Sequence, residues 1–127
     1  MLENVPATTF TSPEVASLGL SEAVAVEKYG ADKIVVAERH LSHVDRAVCD
    51  GAQQGFIKIV YLKKNGMVLG ATIVAPVAGE MISEIAVMMK TVCRLNRCVR
   101  VADGWALFWE SYYYSVLTSF CILVVLI

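Results

Sequence analysis

Apolar and polar residues follow distinct rhythms along the chain, and the clearest is the alternation between Phe56 and Leu62. There Ile57, Ile59 and Tyr61 share one face of an extended strand, while Lys58 shares the other with Phe56, Val60 and Leu62. A lysine among apolar neighbours means that its face is expected to be covered only in part. A second β-rich run, Met67 to Val74, follows Lys63-Lys64-Asn65-Gly66. Asn-Gly readily takes the positive φ values of a type I′ turn, so the two runs predict a hairpin. Pro76 ends that hairpin, and the rhythm changes: Ala78, Met81, Ile82, Ile85 and Met89 recur at three- and four-residue spacings. This predicts a helix packing one face on the sheet. Glu80, Ser83, Glu84 and Lys90 lie away from that face, and the two acids near the start suit the helix dipole.

The N-terminal half is written in shorter phrases. Thr8 to Ser17, with its β-branched residues, Phe10 and then Pro13, reads as a strand with an irregular or edge segment. Gly19 permits a tight turn. Ser21 offers a cap, Glu22 favours a helix's positive end and Gly30 supplies a stop, which together predict a short helix over Glu22 to Tyr29. Lys33 to Glu38, with Ile34-Val35-Val36, predicts a second strand, and Asp45 to Gly51 a turn or a single helical turn. Strands joined by a hairpin and accompanied by few helices predict an antiparallel sheet with helices packed on it, an α+β two-layer sandwich.

Composition bounds what such a domain can do. The 127 residues suffice for about one domain. With eleven basic and twelve acidic residues the net charge is −1, which leaves no electrostatic footprint for nucleic acid. The apolar fraction of 57% exceeds the roughly 45–50% usual for soluble domains, and the excess lies mostly in the last segment. Met-Leu-Glu-Asn-Val-Pro has no basic stretch leading into an apolar one, so a cytoplasmic or organelle-interior location is expected. Cys49, Cys93, Cys98 and Cys121 form no C-x-x-C pair and are expected to be reduced thiols.

Candidate chemistry is sparse. Closely spaced glycines between a strand and a helix, needed to bring backbone amides to a phosphate, do not occur. His40, His43 and Asp45 form a candidate metal cluster, weakly supported because no partner motif accompanies them, against a reading as solvated polar residues. No Ser or Cys nucleophile is paired with either histidine by the sequence. No residue is therefore assigned a catalytic, cofactor-binding or metal-binding role, and a self-sufficient active site is not expected.

Five pieces in series carry a family resemblance: Val5-Pro6; Phe10-Thr11-Ser12-Pro13-Glu14-Val15-Ala16 with Gly19-Leu20-Ser21-Glu22; Asp45-Arg46-Ala47; Gly55-Phe56-Ile57-Lys58; and Leu69-Gly70-Ala71-Thr72-Ile73-Val74 with Ala78-Gly79-Glu80-Met81-Ile82. Their order and spacing resemble the C-terminal dimerisation domain of the pyridine nucleotide-disulfide oxidoreductases, nearest to the mercuric reductase and dihydrolipoamide dehydrogenase group. The resemblance implies a homodimer interface and a part in cell redox homeostasis. It also implies partner domains that carry FAD and NAD(P)H, whose glycine-rich fingerprints and redox cysteine pair do not occur in this sequence. The chain by itself is thus expected to bind neither cofactor. Family members continue into a His-x-x-Pro-Thr-x-x-Glu motif that exchanges protons with the thiols; downstream of Val92 this sequence has neither His nor Pro, so those roles cannot be carried over.

Residues 1–92 are accordingly expected to form the dimerisation domain and 93–127 a divergent tail. Trp105 to Ile127 holds one ionisable carboxylate, Glu110, and no base, and Ser111 to Ile127 is about as long as the shortest transmembrane helix. Arg94, Arg97 and Arg100 precede it, and Trp105, Trp109 and Tyr112 to Tyr114 suit an interface. Three readings stand: an aberrant ending such as a shifted frame, a membrane tail anchor carrying an interaction module without redox activity, and a helix packed in a core or on a partner.

Overall fold

The computed structural model describes residues 5–90 of the 127; the side chains of Asp45 and Arg46, and residues 91–127 with the candidate tail anchor, lie outside the described part. Five strands form one antiparallel sheet: β1 (Ala7–Thr9), β2 (Glu14–Gly19), β3 (Ile34–His40), β4 (Phe56–Leu62) and β5 (Val68–Ala75), in the order β1-β2-β5-β4-β3. Three helices accompany it: α1 (Glu22–Tyr29), α2 (Asp45–Cys49) and α3 (Ala78–Lys90). None of the helices among the described residues is long and apolar enough to cross a membrane.

The alternation in β4 decides the sidedness of the sheet. Ile57 and Ile59 are about 1% exposed and pair with Ile73 and Ala71 of β5, which in turn pair with Ala16 and Leu18 of β2. Onto this face α3 lays Ala78, Met81, Ile82 and Ile85, all fully buried, as their spacing predicts. Leu41, Val44 and Ala47, leading into and through α2, close the same cluster. Each fully buried Ile or Leu contributes about 1.5–3 kcal/mol relative to exposure, so this layer dominates the stability.

Helix α1 packs on the opposite face. Its Ser21 cap accepts the Val24 amide at 3.5 Å, its Gly30 amide donates to the Val26 carbonyl at 2.8 Å, and its Ala25 is buried against Val60 and Leu69. Helices therefore lie on both sides of the sheet, one side completely and the other over one end. This corrects a strict two-layer arrangement while keeping the α+β class. The crossing depends on two glycines. Gly19 turns the chain at φ 71°, and Leu20 then passes so close over β5 that a Cβ on Gly70 would stand 2.1 Å from the Leu20 carbonyl oxygen.

Two other sequence expectations change. Thr8 to Ser17 is not one strand: β1 and β2 are antiparallel, with Thr9 opposite Val15, and Phe10 to Pro13 make the turn, fastened by the Thr11 hydroxyl donating to the Pro13 carbonyl at 2.6 Å. The Asn-Gly turn is a four-residue loop, in which the Leu62 amide donates to the Met67 carbonyl at 2.9 Å and Asn65 Oδ1 accepts the Met67 amide at 3.0 Å. Two-residue closure gives way because Tyr61 pairs with Val68 but Val60 with Gly70, leaving an extra residue, Leu69, as a bulge. Glu14 makes a long-range tie absent from any local pattern, its carboxylate accepting the Gly79 amide of α3's first turn at 3.0 Å.

Gly70→Ala is expected to destabilise the chain by about 1–3 kcal/mol in urea denaturation, because neither backbone segment at the crossing can yield cheaply. An unchanged midpoint would contradict the crossing. Glu14→Ala is expected to cost about 1 kcal/mol by removing the acceptor at α3's N-terminus, with Glu14→Gln retaining part of that stability; equal midpoints for wild type and Glu14→Ala would exclude the tie.

Candidate functional site

The part of the sheet that α1 leaves uncovered is the one candidate site that the described residues assemble from several elements. Register places two rows across it. Thr9, Val15, Val74, Phe56 and His40 stand opposite one another in one row, and Ala7, Ser17, Thr72, Lys58 and Glu38 in the next. The first row is largely apolar, with Val15 38% exposed, and Phe10 at the adjoining hairpin turn is 82% exposed. The second is polar. Where it meets α1 there is a shallow depression of about 670 Å³, with Ser21, Glu22 and Val26 on one wall and Phe56, Lys58 and Thr72 on the other.

Lys58 is the centre of this depression. Its Nζ lies 3.1 Å from Glu38 Oε2 on the neighbouring strand and 3.3 Å from Glu22 Oε2 on α1. The hydrogen bond to Glu38 comes first, and that to Glu22 second, in holding the ammonium above its ordinary pKa, against a smaller opposing effect of desolvation. The lysine that breaks the apolar alternation of β4 is thus neutralised twice over. It fastens α1 to the sheet, and it is no free cation for an anionic ligand.

The residues singled out by sequence for a metal are only partly gathered. His40 and His43 meet edge to face, ring centroids 6.4 Å apart, and His40 also lies 6.4 Å from the Phe56 ring. His40 Nε2 is 3.5 Å from Glu38 Oε1. The side chain of Asp45 lies outside the description, and among the described residues no three His, Cys, Asp or Glu side chains form a group able to hold a metal ion. Arg39 Nη2 donates to the His43 carbonyl at 2.9 Å, which fixes the turn after β3. Cys49 is exposed as a free thiol; the other three cysteines lie outside the described residues. The Glu22–Lys58–Glu38 cluster was not anticipated. Its only sequence trace is the odd polar position at Lys58, since the two glutamates reach it through strand register and helix placement.

An α+β domain with its core closed on one face, an open end on the other and its described titratable groups at the surface is built to be packed against, and comparison with known proteins gives that class a family. The family model described as pyridine nucleotide-disulphide oxidoreductase, dimerisation domain, matches residues 5–101. The chain belongs to this family. It is 36% identical over 92 residues to dihydrolipoyl dehydrogenase 3 of Haloarcula marismortui, covering 72% of this chain and 19% of that protein. It is 38% identical over 86 residues to dihydrolipoyl dehydrogenase of Bacillus subtilis, covering 68% of this chain and 18% of that protein. Among solved structures, LpdA of Mycobacterium tuberculosis superposes with a TM-score of 0.72 at 26% identity over 91% of this chain and 26% of its own. The HOCl-induced flavoprotein disulfide reductase RclA of Escherichia coli, in its Cu(II) complex, shares the fold with a TM-score of 0.72 at 24% identity, over 90% of this chain and 26% of its own. The chain thus spans about a fifth of the length of these dehydrogenase relatives. FAD and NAD(P)H belong to the full-length enzymes of the family, not to its dimerisation domain.

Lys58 and Tyr61 both have pKa values raised in the folded state, Tyr61 by burial. Such groups contribute fully below their unfolded values, about pH 10, and the contribution is lost as pH rises through the folded values. Stability is therefore expected to fall above about pH 10. Lys58→Met should remove one part of the fall and Tyr61→Phe another, while Lys58→Met costs no more than about 1 kcal/mol at neutral pH because the pairs are partly solvated. A denaturation midpoint that is flat to pH 11 in the wild type would contradict this.

Proposed function

We propose that this chain works as the interface domain of a FAD-dependent pyridine nucleotide-disulfide oxidoreductase, pairing with a second copy of itself and serving cell redox homeostasis only as part of the larger enzyme. The observation that carries the reading is the match to the dimerisation-domain family over residues 5–101, joined to the five-stranded sheet that places each matched segment in one domain. Residues 1–92 supply that domain and 93–127 a divergent tail. Alone the chain is inactive and holds neither FAD nor NAD(P)H, because the residues that bind the cofactors and exchange electrons are contributed by other parts of the enzyme. No residue here is assigned a catalytic, cofactor or metal role. The described surface supports this division of labour: its one depression is lined by an internally neutralised lysine and short polar side chains.

The purified full chain is expected to sediment at twice its 13.9 kDa mass, to show no flavin absorbance and to leave NAD(P)H unoxidised in the presence of a disulfide. A monomer at all concentrations would contradict the pairing. Bound flavin with turnover would overturn the proposed inactivity.

A further inference from the structure

We draw no further inference here: the strongest candidate, the open end of the sheet face where Phe10, Val15, Phe56 and Val74 adjoin the Glu22–Lys58–Glu38 cluster, is an unpartnered apolar face and nothing in the structure shows what covers it.

Discussion

The apolar stripe of α3 must leave water, and the sheet face formed by β2, β5 and β4 receives it. Ala78, Met81, Ile82 and Ile85 meet Ile57, Ile59, Ile73, Ala16 and Leu18 in one cluster. The arrangement follows directly from chain order. Strand β5 lies at the centre of the sheet, and Val77 separates its short exit from the first turn of α3, so the helix folds back over the strand that precedes it. Seven large side chains in this region are essentially inaccessible, among them Ile57, Ile73, Met81 and Ile85. At about 1.5–3 kcal/mol each, their burial outweighs the ion pairs of the opposite face, which amount to about 1 kcal/mol or less apiece. Glu14 adds direction more than energy: by accepting the Gly79 amide it ties the β1–β2 turn to the start of α3.

The opposite face answers to a different constraint. Helix α1 covers only one end of it, and the chain reaches that position by crossing β5 at Gly70, where no side chain fits. At the uncovered end an apolar row and a polar row run side by side, and the charges there are paired with one another. This combination suits a domain that meets other protein surface and explains why a family of dimerisation domains needs no chemistry of its own in this layer. Membership in that family fixes the kind of domain; the redox reaction remains a property of the longer enzymes in which such domains occur.

Much of this was legible in the residues. The three- and four-residue spacing from Ala78 fixed α3, the alternation from Phe56 fixed β4 and its two faces, and Ser21 with Gly30 bounded α1 to the residue, because each is a local pattern with a local physical cause. What escaped was set by register. Whether Phe10 to Pro13 continues a strand or turns between two depends on Thr9 finding Val15 opposite, and the choice between two- and four-residue closure after Leu62 depends on a bulge in the partner strand. For the same reason Glu22 and Glu38 gave no hint of Lys58, which lies 36 residues from the first and 20 from the second. The candidate metal group failed to gather for a related cause: sequence proximity put His40 and His43 at one corner but brought no third described ligand to them.

The sidedness of the sheet is the central claim, and adjacent residues of β5 test it most directly. Ile73 points into the α3 layer and is fully buried, whereas Val74 points to the open end and is only half-buried. Equilibrium urea denaturation of Ile73→Ala and Val74→Ala should give a loss of about 2–5 kcal/mol for the first and under about 1 kcal/mol for the second. Equal losses, or a larger loss at Val74, would contradict the account.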